Sequence, residues 1–334
     1  MVHVAVVGAG GWGKNLIRNF AGLKDCKLHT VCDLDAAKLS QNESLYPGLR
    51  TTQDLNEVIG SKEIDAVVIA SPAPMHFDMA RRALEAGKHV YVEKPMTLSA
   101  ADAERLVALA DQAGRKLMVG HLLEYHPCVR MLKDMIDGGE LGDLYYLYCQ
   151  RLNLGVVRKD ENAWWSLAPH DVSVVLYLFG AEATTVTSQG HAYLRPGVED
   201  VVFTQIRFAD GRMASIHVSW LDPHKIRKMT LVGTKKMATF DDMESSEKIR
   251  VYDKAADVVP GTVSYADSIT IRQGDIHMPM IKGGEPLKDE CRHFVESILN
   301  NTTPLSDGRD GLRVVKVLEA ATQSLRQGGA PVEL

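Results

Sequence analysis

The sequence predicts an α/β chain: a doubly wound parallel sheet at the N-terminus, then an α+β domain built on an open, mainly antiparallel sheet. Three observations carry this. Over the first 120 or so residues, short β-branched apolar runs alternate with longer amphipathic stretches, the rhythm of a parallel sheet covered by helices. Beyond residue 121 the apolar pattern changes to period two, the mark of half-buried antiparallel strands. The length of 334 residues suits two domains at roughly 100–200 residues each.

The elements follow in order. Runs 2–7, 28–32, 66–70, 89–92 and 116–119 are nearly all apolar, as strands buried on both faces must be. Between them, stretches 14–20, 36–40, 75–86 and 100–113 read as helices, the last two each followed by a helix-ending glycine, Gly87 and Gly114. After a helical stretch at 127–136, Pro169 suits a first helical position, so a helix is expected from there through residue 178 with His170 in its first turn. Ala214, Ile216, Val218 and Trp220 alternate with polar neighbours, and Asp210-Gly211 before them reads as a two-residue type I′ hairpin turn. Residues 287–299 and 312–325 return to helix. The expected division is 1–121 for the first domain and 122–334 for the second.

Composition narrows the function. With 38 basic and 43 acidic side chains and a net charge of -5, a general affinity for nucleic acid or anionic membrane is disfavoured. No apolar run approaches the ~20 residues needed to span a bilayer. Cys26, Cys32, Cys128, Cys149 and Cys291 are odd in number and lack a C-x-x-C pair, so neither a disulfide framework nor a metal site is expected. The first residues read as a strand and not as a signal peptide, which points to the cytoplasm.

The chemistry sits in three places. Gly8-Ala9-Gly10-Gly11-Trp12-Gly13 follows the first strand and opens a helix, the pattern in which glycines let backbone amides and a helix N-terminus approach a pyrophosphate. Asp33 ends the second strand 20 residues beyond Gly13, where a carboxylate meets adenosine ribose hydroxyls. With Asp35 nearby and no Arg following, NAD is favoured over NADP. This is the Rossmann arrangement. Glu93-Lys94-Pro95 follows the strand at 89–92, at the carboxyl edge where open α/β sheets place their sites. A lysine there can move a proton or polarise a hydroxyl; spacing alone fits a solvated Lys94 paired with Glu93 as well. Leu167, His170, Val174 and Leu178 recur at helical spacing, putting His170 on an apolar face, either as a base kept neutral by the helix N-terminus or as a core histidine. Arg151 and Arg158 can pair with a diphosphate and Trp164 or Trp165 can stack on a ring, or the arginines belong to a solvated loop. The basic run His224, Lys225, Arg227, Lys228, Lys235 and Lys236 reads as a solvated strand edge.

In combination and order, these motifs resemble the Gfo/Idh/MocA oxidoreductases: the loop Gly8 to Gly13, Asp33, Ser71-Pro72 with His76, Glu93-Lys94-Pro95, and the helix bearing His170. The resemblance covers essentially the whole chain. It implies an NAD-dependent enzyme with Lys94 and His170 as the catalytic pair, and with Gly8, Gly10, Gly11, Trp12, Gly13, Asp33, Ser71, Pro72, His76, Glu93 and Lys94 around the cofactor. It also implies a homo-oligomer formed through the open sheet. Many members carry an aspartate four residues before the histidine; here Ser166 stands there. The segment from Arg151 to Arg158, Trp164-Trp165, Ala168-Pro169-His170-Asp171, and His121, Glu124, Tyr125, His126 and Pro127 look instead like the branch that oxidises nucleotide sugars at C3. That branch implies a UDP-N-acetylhexose substrate, UDP-N-acetylglucosamine or its uronic acid, met by His121, Tyr125, Asn153, Arg158, Trp165 and His170. A polyol or free-sugar dehydrogenase, a keto-sugar reductase and an NAD-binding sensor are the alternatives.

Overall fold

The computed structural model describes residues 1–155, 157–158, 161–258 and 269–334. The chain forms two compact units, Met1–Tyr125 with Glu285–Lys316, and His126–Gly284 with Val317–Leu334. The second domain is therefore not the continuous 122–334 expected: residues 285–316 return to the first unit.

Unit 1 runs β1 (Val2–Val7), α1 (Gly13–Ala21), β2 (Cys26–Cys32), α2 (Ala36–Leu45), β3 (Arg50–Thr52), α3 (Leu55–Gly60), β4 (Ala66–Ile69), α4 (His76–Glu85), β5 (His89–Val92), α5 (Ala100–Ala113) and β6 (Leu117–Val119). Its six strands lie in the order β3-β2-β1-β4-β5-β6, each pair parallel. This is the doubly wound Rossmann sheet. Strand β3, which periodicity missed, has three residues and none is buried, so it gives no apolar signal.

Unit 2 contains α6 (Pro127–Asp137), β7 (Leu144–Leu152), α7 (Ala163–Phe179), β8 (Ala183–His191), β9 (Val201–Phe208), β10 (Met213–Ser219), β11 (Ile226–Gly233), β12 (Met237–Asp241), β13 (Ile249–Val258) and β14 (Ile269–His277). The chain ends in α8 (Pro286–Leu299), α9 (Gly308–Arg326) and β15 (Val332–Glu333). The sheet order is β14-β13-β12-β11-β7-β10-β9-β8-β15, and among the described residues β10 and β7 form its one parallel pair.

Packing explains why α8 joins unit 1. Phe294 meets Phe20 of α1 and Tyr91 of β5 edge-on, with centroids 6.4 and 5.8 Å apart, beside fully buried Leu16 and Ile17. Periodicity shows that a helix has an apolar face but not which core receives it.

Three local expectations change. Helix α7 begins at Ala163, because the Asn162 side chain accepts the Trp165 N–H at 3.0 Å and caps it; Pro169 lies inside the helix and His170 about two turns in. His170 is thus beyond the reach of the helix N-terminal charge, which acts within the first turn. The Asp210-Gly211 turn is not type I′: only Gly211 has positive φ, at 87°, and Phe208 N–H bonds to Arg212 O at 3.1 Å. Finally, β11 is no edge, since it pairs with β12 and β7.

Candidate active site

The glycine turn is forced by contact. Gly8 adopts φ +100°, and a Cβ there would stand 2.7 Å from Ala70 O; one on Gly13 would stand 1.9 Å from Gly8 O. At Gly10 and Gly11 a Cβ would meet nothing within 4 Å, so these two leave an open backbone face at the start of α1. Asp33 holds the turn: its Oδ2 accepts Ala9 N–H at 2.7 Å and its Oδ1 accepts Asp35 N–H at 2.9 Å. Burial opposes ionisation of Asp33, but these amides and Lys38 hold its carboxyl below the usual range. Each oxygen keeps a second lone pair for a ribose hydroxyl. Lys38, 3.6 Å from Asp33 and 3.7 Å from Asp35, is a neighbour that the sequence reading left out. At the end of β4, the Ser71 hydroxyl is buried without a hydrogen-bond partner. An open glycine face, a fixed carboxylate and an orphaned hydroxyl at the carboxyl edge of the sheet fit a dinucleotide.

Glu93 lies buried at the end of β5, with Lys94 half-buried after it. The Trp12 indole N–H donates to Glu93 Oε1 at 2.6 Å, tying the glycine turn to the strand that presents Lys94. Tyr91 O–H lies 3.4 Å from the same oxygen. Burial pushes the Glu93 carboxyl up to about 7, against the pull of Trp12 and Lys94. Gly120 makes this possible, as a Cβ would stand 2.9 Å from both Glu93 Oε1 and Tyr91 OH. Glu290 of α8 is also fully buried nearby, its carboxyl raised well above the usual range by burial and by Glu93.

His76 has both ring nitrogens 2.8 Å from backbone oxygens, of Pro95 and Ser71. It braces the loop after β4 against the turn after Lys94, and its polar atoms are not left for a ligand. His121 is different: it is buried and neither nitrogen has a partner. Burial lowers its pKa to about 4, with Asp310 opposing and Lys94 and Arg313 adding to the shift, so it is neutral beside Lys94. Behind it, Arg313 pairs with Asp310 at 2.7 Å, and burial with Asp310 pushes the Glu124 carboxyl well up. Tyr125 is 4% exposed and bonded to His293 and Ser306 at 3.1 and 3.4 Å, an internal strut of unit 1. Nothing local in the sequence signals Glu290, Asp310 or Arg313, which arrive on α8 and α9 from nearly 200 residues away.

His170, Asn153, Arg158 and Trp165 belong to unit 2, whereas Lys94, His121 and Tyr125 belong to unit 1. His170 is half-buried. Arg151 is not a free anion ligand: its Nε and Nη2 donate to Asp171 Oδ2 and Oδ1 at 2.6 and 3.0 Å, both residues buried. Asp171 follows His170, so this pair fixes α7 on β7 at the turn that presents the imidazole. Arg158 pairs with Glu161 at 3.0 Å. Trp164 is fully buried and donates to Leu318 O at 3.1 Å, which removes it as a stacking face; half-buried Trp165 donates to Thr322 Oγ1 at 3.0 Å and keeps its ring partly open. Asn153 leaves β7 with its N–H on Ser219 O at 3.1 Å.

A Rossmann sheet with this glycine cradle, joined to a unit carrying a histidine on a sheet-packed helix, defines an NAD-binding oxidoreductase. Residues 2–121 match the model for the oxidoreductase family with an NAD-binding Rossmann fold, and residues 129–239 match the Gfo/Idh/MocA C-terminal domain. The chain belongs to the Gfo/Idh/MocA family, and its cofactor is NAD. It is 28% identical to scyllo-inositol 2-dehydrogenase (NAD(+)) of Bacillus subtilis, over 100% of this chain and 96% of that protein. It is 25% identical to UDP-N-acetylglucosamine 3-dehydrogenase of Acidithiobacillus ferrooxidans, over 94% of this chain and 95% of that one. A solved structure of the latter superposes with a TM-score of 0.81 at 24% identity, covering 98% and 99% of the two chains. The WlbA dehydrogenase from Bordetella pertussis, solved with NADH and UDP-GlcNAcA, gives 0.80 at 23% identity over 100% and 99%. Among the described residues, no helix is long and apolar enough to cross a membrane.

Proposed function

We propose that this oxidoreductase converts the C3 hydroxyl of a UDP-N-acetylhexose, UDP-N-acetylglucosamine or its uronic acid, to the ketone that a later transamination consumes. The observation that carries the reading is the ground around His170. Ser166 stands one turn before it in place of a carboxylate, and Arg151 holds both oxygens of Asp171 after it, so neither neighbour gives the histidine the free carboxylate partner that the polyol-oxidising arrangement uses. Bound NAD supplies the hydride acceptor. The protein's own groups do the rest: of Lys94 and His170, one removes the hydroxyl proton while the other orients the hydroxyl or stabilises developing alkoxide charge. The glycine turn, Asp33 and Ser71 locate the dinucleotide, so positioning contributes alongside proton transfer. Exposed Tyr146, Tyr148 and Phe203 on the open sheet face support a homo-oligomer formed there, and five buried free thiols suit a reducing cytoplasm.

The test is NADH formation across a panel of UDP-sugars and free polyols, with the product trapped to locate the carbonyl. Turnover of a UDP-N-acetylhexose at C3 is expected. Turnover of inositol alone reverses the reading in favour of a polyol dehydrogenase, which the scyllo-inositol relative makes the competing case. Lys94→Met and His170→Asn should each collapse turnover while NADH still binds.

A further inference from the structure

Arg227 is the second residue of β11 and pairs directly across the antiparallel ladder with Arg151 near the end of β7. Directly opposite residues project from the same face. That face is the one occupied by buried Cys149 and Arg151 on β7 and by Met229 and Leu231 on β11, where Asp171 of α7 meets Arg151. Like charges directly opposite each other are destabilising, so two guanidinium groups placed this way call for anionic company.

Each nearby carboxylate already has a cationic partner of its own. Both oxygens of Asp171 are taken by Arg151. Asp242, the other acid that acts electrostatically on Arg227, has its Oδ1 2.9 Å from Lys248 Nζ and 3.7 Å from His126 Nε2. Three cations, Arg151, Arg227 and Lys248, thus face two carboxylates, with His126 kept neutral mainly by burial. Among the described residues Arg227 makes no ion pair, and its side chain is exposed to solvent. The surplus charge stands beside Asp171, the residue after His170, where the segment beginning at Asn153 leaves the sheet.

Building on the proposed function, we infer that Arg227 binds an oxyanion of the substrate, a phosphate of the nucleotide or the carboxylate of a uronic sugar, and so helps set specificity. A guanidinium presents a planar fork matched to two such oxygens. Arg151 is buried with its fork on Asp171, and Arg158 is paired through Nε with Glu161, so neither offers the surplus charge that Arg227 does. Partial desolvation against the sheet and the neighbouring Arg151 both disfavour the Arg227 cation, a cost that a bound anion offsets.

The experiment measures binding of UDP, UDP-N-acetylglucosamine and its uronic acid to the full-length protein with NADH present, for the parent, Arg227→Gln and Arg227→Lys. Expected is a loss of affinity of roughly tenfold or more in Arg227→Gln, partial recovery in Arg227→Lys, unchanged NADH affinity, and a rise in KM exceeding the fall in kcat. A loss already present with UDP assigns the arginine to phosphate; a loss confined to the uronic acid assigns it to the sugar carboxylate. If the parent turns over UDP-sugars and Arg227→Gln binds all three ligands normally, this inference is overturned and the proposed function stands. If the parent neither binds nor oxidises any UDP-sugar, both fall together.

Discussion

Replacing Glu93 by Gln should change stability in a way that depends on pH. Burial raises this carboxyl to about 7 from an ordinary 4.5. Between those values the folded chain keeps a proton that the unfolded chain has released, so stability falls as pH rises through the window and levels off above it. At about 1.36 kcal/mol per pH unit, the parent loses about 2.5 kcal/mol through this group between about pH 5 and about pH 8. The Gln variant cannot ionise and is spared that loss. It also relieves Glu290, whose raised carboxyl owes part of its shift to Glu93, so both effects favour the variant at high pH. Denaturant unfolding of both full-length proteins at the two pH values reads the difference, and subtraction cancels the titrations they share. A pH-independent offset from the altered Trp12 contact does not affect the comparison, because only the change of the difference with pH is read. A variant-minus-parent difference that does not move with pH refutes a proton-holding Glu93.

Three further outcomes follow from the geometry. Arg151→Met strands Asp171 as a buried charge and should cost about 3–5 kcal/mol, whereas Arg151→Met with Asp171→Leu should recover most of it; denaturant midpoints of the four proteins in the cycle decide this. Gly10→Ala should leave apoprotein stability near the parent's, since its Cβ meets no protein atom within 4 Å, yet weaken NADH binding measured by fluorescence titration. Gly13→Ala, whose Cβ would fall 1.9 Å from Gly8 O, should lower both the melting temperature and NADH affinity.

Much of unit 1 was legible because a parallel sheet buries its strands on both faces, so each strand reads as a continuous apolar run. The glycine turn and Asp33 were legible because their chemistry is local in sequence and tied to strand ends. Around His170 the reading went astray for identifiable reasons. Pro169 suggested a helix start, but the Asn162 cap lies seven residues earlier and sets the true one. Arg151 and Trp164 look like ligand groups by residue type, and only packing shows one locked to Asp171 and the other buried on Leu318. Conversely, Arg227 was hidden in a basic run that resembled an edge strand, until β12 and β7 were found on either side of it.

The sequence by itself determined the doubly wound first unit, its glycine turn and the place of Lys94 just beyond β5, because periodicity and motif spacing are written in consecutive residues. Tertiary structure decided which charges are spent and which remain. The return of α8 brings Glu290 beside Glu93, and the register of β7 with β11 sets Arg227 opposite a satisfied Arg151. Burial and cross-strand pairing join residues far apart in the chain, and no local pattern records them.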